Sequence, residues 1–244
     1  MLRSEKEISR EKYNSGKEIE RTSKKYLLDM ARECKKGDAL DVGCGTGVNA
    51  VYLKEQGFKI TGLDLSDLAI QKYKEKGYRG IVHDISTGLP FEENSFDLVF
   101  ASEIIEHLED TTNFLKEIRR VLKPGGTLLL STPNSVFWAY RILTLIGKSP
   151  SEFQHPGHLR FFSPKFLIEH FQKCNYQNIQ VSGRNMYFII GESVARVFSF
   201  FLIKLPFLNH EKRFLTKNTF FHISRKSKKV SSIWTDTILV KAQK

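Results

Sequence analysis

Residues 39–47 read ALDVGCGTG, an apolar run ending in Asp41-Val42 and followed by glycines at 43, 45 and 47. Glycine lets the backbone turn left-handed and approach a ligand that a Cβ would exclude. The apolar run reads as a short strand. VNAVYLKEQ behind the loop reads as a helix that stops at Gly57, a C-cap residue. Strand, glycine turn and helix N-terminus in that order form a ligand cradle. Dinucleotide sites space their glycines GxGxxG, with the pyrophosphate on the helix N-terminus. Here the spacing is GxGxG, with Val48 where the third glycine would stand.

The rhythm continues outward from the loop. FKITGLDL (58–65) is rich in strand formers, and Ser66 is placed to cap a helix over DLAIQKYKEK that stops at Gly77. GIVHDI (80–85) reads as a short strand and FDLVFAS (96–102) as a buried one. A helical region is expected from Glu103 to Leu122, with a break near 109–112. KPGG then turns the chain into TLLLST (127–132). Strands alternating with helices predict an α/β fold, a parallel sheet covered on both faces. Ser163-Pro164 fits the N-cap and N1 positions of a further helix, FLIEHFQKC. YQNIQVSG and IWTDTILVKA (233–242) read as strands, and 209–231 reads as a basic loop.

Three aspartates fall at the carboxyl ends of successive strands: Asp41, Asp64 and Asp84. Open α/β sheets bind ligands at that edge. Asp64 is placed to accept both hydroxyls of a ribose, Asp84 to accept from an adenine amino group, and Asp41 to complement a cationic centre. The competing reading for each is an ordinary turn or cap. A positively charged adenosine suits this set better than a pyrophosphate.

LDVGCGTG, GLDLS, HDI, FDLVFASEIIEHLED and LKPGGTLLLSTPN stand in the order and spacing of the class I S-adenosylmethionine-dependent methyltransferases, which the chain resembles from about residue 38 to 184. The resemblance implies a Rossmann-like, seven-stranded, mostly parallel sheet. It implies S-adenosylmethionine as cofactor, with Asp41, Gly43, Cys44, Gly45 and Gly47 along its methionine part and Asp64 with Leu65 at the ribose. Asp84 and Ile85 would lie beside the adenine, and Ala101 and Ser102 under the sulfonium.

A hydroxyl acceptor needs a base or a metal to reveal its oxygen. Glu103, Glu106 and His107 form ExxEH, which on a helix would share one face. A similar ExxEH is linked to a divalent metal in the ubiquinone-biosynthesis O-methyltransferases, which this stretch also resembles. The competing reading is a helix whose acids are solvated or paired. QHPGHLRFFS (154–163) offers His155 and His158, and either histidine could serve as general base. With His107, His158 completes the candidate catalytic pair. Arg160 could hold an acidic group of the substrate.

The organisation expected is one domain: a helical extension over 1–36, a cofactor core over 37–133, and apolar insertions over 134–162 and 185–231 that rim the acceptor pocket. MYFIIGESVARVFSFFLIKLPFL (186–208) is interrupted by Glu192, Arg196 and Lys204 and is no spanning helix. Its apolar face beside eight basic residues and one acid between Lys204 and Lys229 suits an anionic membrane interface. Packing on the domain or homodimerisation are the alternatives.

Charge supports that asymmetry. Residues 37–135 carry 10 basic and 15 acidic side chains, and 136–244 carry 17 and 5. The C-terminal part can face something anionic. The three cysteines form no CxxC pair, and the charged start MLRSEKEISREK has no signal-peptide pattern. A cytoplasmic protein is expected, with peripheral membrane association as the alternative. The leading expectation is O-methylation of a small apolar or lipid-linked acceptor, by a monomer or homodimer. Glycan or RNA methylation ranks below it, because ASEI stands after the fourth strand where base methylases carry (N/D/S)PP(Y/F). A binding module without turnover would have lost the cofactor residues, and none is lost.

Overall fold

The structure is a computed structural model, and it describes residues 22–149, 157–186, 214–215, 221–227 and 236–244. Its strands are β1 (Asp38–Val42), β2 (Lys59–Asp64), β3 (Arg79–Val82), β4 (Phe96–Ser102), β5 (Leu122–Pro133), β6 (Gln177–Met186), β7 (Phe214–Leu215), β8 (Phe221–Ser227) and β9 (Thr237–Gln243). The helices are α1 (Thr22–Ala31), α2 (Val48–Glu55), α3 (Asp67–Glu75), α4 (Thr111–Val121), α5 (Trp138–Leu145) and α6 (Pro164–Lys173). The strands lie in the order β3-β2-β1-β4-β5-β9-β6-β8-β7. β1 to β5 are parallel, and β9 runs antiparallel between β5 and β6.

Alternation along the strands divides the core into two layers. Leu40, Val42, Val99, Ala101, Leu128 and Leu130 face α4 and α6, where Phe114, Leu115, Ile118, Leu167 and Phe171 cover them. Ala39, Leu98, Phe100 and Leu129 face the other way, under Leu27 of α1, Leu53 of α2 and Tyr73 of α3. All seven residues of β4 are buried, as expected of a central strand covered on both sides. Each fully buried large aliphatic side chain in these layers contributes about 1.5–3 kcal/mol.

The helix starts follow their side chains. The Ser66 hydroxyl accepts from the Ala69 N–H, and the Ser163 hydroxyl accepts from the Phe166 N–H with Pro164 at the first helical position. Three expectations need correction. The seven expected strands are present, but 209–231, expected as loop, extends the sheet by β8 and β7, with β8 antiparallel to β6. That pairing covers an edge of β6 that would otherwise expose its ladder groups. The third strand ends at Val82, earlier than expected, because Asp84 caps a 3₁₀ turn over Ile85–Thr87. Between Glu103 and Leu122 the expected break near 109–112 is present, but the part before it is not α-helix. Glu103 has φ +58°, Ile105–His107 is a single 3₁₀ turn, and α4 begins at Thr111 behind its cap Asp110.

Of the two apolar insertions, 134–162 contributes α5, with Ile142, Leu145 and Ile146 exposed at its end. The apolar stretch 187–208 lies outside the described residues, as does His155. No helix among the described residues is long and apolar enough to cross a membrane.

At the amino edge of the sheet, Asp97 ties β4 to its neighbours. Its carboxylate takes Lys123 Nζ at 2.6 Å, Lys35 Nζ at 3.3 Å and the Asp38 N–H at 3.1 Å. Burial works to raise its pKa, but the Lys123, Asp38 and Lys35 bonds together hold it below the usual carboxylate range. Its unfolded value is about 3.9, so its contribution is complete above that pH and is lost as pH falls through the lower folded value. Asp97→Ala should therefore lower unfolding free energy by about 1–3 kcal/mol at neutral pH. Urea titrations from pH 7 to 3 should show the gap from wild type closing as the pH drops.

Candidate active site

Strand order reverses between the parallel neighbours β1 and β4, and that switch point is where open sheets of this kind take a ligand. The glycine loop leaves β1 there. Gly43, Gly45 and Gly47 have φ of +69°, +53° and +89°, in the left-handed region. The Gly43 and Cys44 N–H groups donate to the Leu63 carbonyl at 2.8 and 2.9 Å, which binds the loop to the end of β2. A Cβ on Gly43 would collide with the δ-methyl of Ile104, just beyond β4. One on Gly47 would come within 3.0 Å of the Tyr73 ring.

Asp64 closes the loop from below. Its Oδ2 accepts from the Gly45 N–H and its Oδ1 from the Ser66 N–H, both at 2.9 Å. Leu65, between these anchors, is half-buried. Asp41 is fully buried, and strand alternation places it on the α1–α3 side of the sheet. Burial, then the charges of Asp41 and Asp64, push the Cys44 thiol far above its ordinary range. Burial and Asp41 do the same to the Tyr73 hydroxyl. Cys44 is therefore an inert packing thiol under the loop, not a nucleophile.

Asp84 is exposed. Its Oδ1 accepts from both the N–H and the hydroxyl of Ser86, at 2.9 and 2.7 Å. The Ser86 hydroxyl is the main reason its carboxyl is held below the usual range. Ile85 is half-buried against the core. Ala101 and Ser102 are buried at the end of β4, where the Ser102 hydroxyl meets that of Ser131 on β5 at 3.0 Å. An open cavity of about 500 Å³, lined by Asp67, Ile70, Lys74 and Val82 among others, lies along α3 and shares none of the loop residues.

Glu103, Glu106 and His107 do not share a helix face, because no helix runs through them. The metal set implied by resemblance does not fit this backbone. Another grouping forms instead. Donor atoms of Glu106, His107 and His158 lie within 4.8 Å of one another. The imidazoles of His107 and His158 pack edge-to-face, with centroids 4.8 Å apart. His107 Nδ1 lies 2.8 Å from the Gly157 carbonyl. A carbonyl only accepts, so Nδ1 carries the hydrogen and Nε2 the lone pair.

His158 arrives on a strap, residues 157–162, bound along its length to the ends of β4 and β5. The Leu159 and Arg160 N–H groups both donate to the Glu106 carbonyl, at 2.8 and 3.0 Å. The Arg160 guanidinium donates to the Glu109 carbonyl at 2.6 Å, so here it fastens the strap. The Ser135 N–H and hydroxyl donate to the Phe162 carbonyl. Sequence reasoning missed Ile104, which faces Gly43, and Thr132, whose hydroxyl donates to Glu106 Oε2 at 3.1 Å. The one available signal for Thr132 was a polar pair, Ser131-Thr132, ending an apolar strand.

Comparison with known proteins accords with this geometry. Residues 40–130 match the type 11 methyltransferase-domain family. The chain is 35% identical over 108 residues to a probable S-adenosylmethionine-dependent methyltransferase of Mycolicibacterium smegmatis, covering 44% of this chain and 42% of that protein. It is 29% identical over 134 residues to the ubiquinone biosynthesis O-methyltransferase of Histophilus somni, covering 51% and 56%. A SAM-dependent methyltransferase structure from Thermotoga maritima superposes with a TM-score of 0.64 at 19% identity, over 91% of this chain and 89% of that one. Residues 40–130 thus match a methyltransferase domain, and the fold is that of a solved SAM-dependent methyltransferase. The chain spans about half the length of the curated relatives it matches.

The loop geometry generates a paired test. Gly43→Ala, strained at positive φ and in collision with Ile104, should weaken S-adenosylmethionine binding at least tenfold by calorimetry, from a strain of about 1–3 kcal/mol. Gly57→Ala has φ +92° but open space around it. It should cost about 1–2 kcal/mol of stability and leave cofactor affinity unchanged.

Proposed function

We propose that this chain transfers a methyl group from S-adenosylmethionine to a hydroxyl of a small apolar or lipid-linked acceptor. The observation that carries the proposal is the meeting, at one sheet edge, of the Asp64-braced glycine loop and the histidine-bearing strap. Bound there, the cofactor supplies an electrophilic methyl on a sulfonium.

The left-handed glycines suit the cofactor's close approach, and Asp64 suits its ribose. A carboxylate has about four acceptor positions, so one group can both brace the loop and take a hydroxyl. Asp84 and Ile85 flank the expected adenine position, and Ala101 and Ser102 form the floor at the end of β4. On the acceptor side, His158 takes the hydroxyl proton as the oxygen attacks. His107, its tautomer set by the Gly157 carbonyl, fixes the ring beside it. Holding the reacting groups near contact distance supplies much of the rate. No step is assigned to a metal.

Exposed Ile142, Leu145 and Ile146 on the segment leaving β5 support an apolar acceptor and docking on an anionic membrane surface. The relative's name, a ubiquinone biosynthesis O-methyltransferase, supports oxygen as the acceptor atom.

Incubation with methyl-labelled S-adenosylmethionine and cell extract, partitioned into lipid, glycan, RNA and protein fractions, tests the reading. Label is expected in the lipid-soluble fraction, and label confined to RNA or protein would refute it. His158→Ala should reduce transfer about 100-fold or more, the usual scale of a general base, with cofactor Kd unchanged.

A further inference from the structure

The strap that carries His158 has no regular secondary structure over residues 157–161, so its register must come from what it is tied to. Two consecutive backbone ties, next to His158, converge on one residue. Glu106 is fully buried, and its carbonyl accepts both the Leu159 and the Arg160 N–H. Its side chain is held in turn by the Thr132 hydroxyl, which donates to Oε2 at 3.1 Å. Thr132 is itself fully buried, near the end of β5 and paired with Ile238 of β9. A continuous path therefore runs from the rigid sheet through Thr132 to Glu106, and from Glu106 to the strap.

We propose that Thr132 is a positioning residue for methyl transfer, its hydroxyl setting the register of the His158 strap through Glu106. The inference rests on the reading of His158 as the acceptor-side base. Geometry explains the sensitivity. The 3₁₀ turn Ile105–His107 is a single short turn, and Glu103 before it sits at φ +58°, so bonds from outside help fix its orientation. Rotation of that turn would shift the Glu106 carbonyl and the His107 ring together, and both hold the strap. A displacement of about 1 Å at a reacting group can cost 100-fold in rate.

Thr132→Val keeps the shape and removes the donor, and Thr132→Ser restores it. Two measurements are needed. The first is the initial rate of label transfer from methyl-labelled S-adenosylmethionine into a lipid extract, with cofactor Kd from calorimetry. Thr132→Val should lose tenfold to 100-fold in rate at saturating cofactor with Kd within twofold of wild type, and Thr132→Ser should recover most of it. The second is amide hydrogen exchange, which needs no acceptor. The Leu159 and Arg160 amides should exchange at least tenfold faster in Thr132→Val, while those of Gly43 and Cys44 stay protected. Wild-type strap exchange in Thr132→Val, or failure of Thr132→Ser to restore it, would overturn the proposal. Absence of label transfer by wild type would instead fail the functional reading, and the exchange result would stand apart from it. Equal loss of cofactor affinity and rate in Thr132→Val would also overturn it, by showing general disruption of the sheet edge.

Discussion

The glycine-loop half of the carboxyl edge depends on how Asp64 holds two backbone N–H groups. One belongs to Gly45 in the loop after β1 and the other to Ser66 at the start of α3. Hydrogen bonds to a charged acceptor contribute about 1.5–3 kcal/mol each and fix direction as well as distance. With the Leu63 carbonyl taking the Gly43 and Cys44 amides, the loop is bound to β2 at three points. Three left-handed glycines make that path possible. The loop is therefore shaped before any ligand arrives, which lowers the ordering cost of binding.

This half of the site was legible because its determinants are side-chain identities close in sequence. Glycine at positive φ, an acid at a strand end and a serine before a helix each have few substitutes. The two-layer core was legible for the same reason: alternating residues on β1, β4 and β5 go to opposite faces. Periodicity misled at EIIEHLED. Its spacing imitates a helix, but Ile104 is needed against Gly43 and Asp110 is the stronger start signal, accepting from the Asn113 N–H at 2.8 Å. Tertiary contact and capping together outweighed local propensity. At 209–231, lysines and arginines obscured the alternation in FHIS, and the strand formed against β6.

The acceptor half was less legible for a physical reason. Its geometry depends on main-chain carbonyls, those of Gly157, Glu106, Glu109 and Phe162, and every residue has one. A motif search sees ExxEH and infers a helix face. The fold uses the same letters otherwise. Glu106 offers a carbonyl to the strap and a carboxylate to the sheet, and His107 locks onto a glycine carbonyl. Glu103 serves the turn: its N–H donates to the Ser131 carbonyl at 3.0 Å and its backbone reverses direction.

The two halves meet at Ile104, which touches the Gly43 position from the β4 side and precedes the turn that bears Glu106 and His107. Glycine loop and strap thus share a contact at Ile104, while their hydrogen bonds anchor one to β2 and the other to the ends of β4 and β5. Separate anchoring has a chemical consequence. Changes in the strap or in α5 can reshape the acceptor pocket while the Asp64 bonds stay as they are. Changes at Ile104 cannot, because its δ-methyl fills the space beside Gly43 and its backbone starts the Glu106 turn. On the proposed function, selectivity for the acceptor would belong to α5 and the strap, and competence to bind the cofactor to residues 41–65, with Ile104 constrained by both.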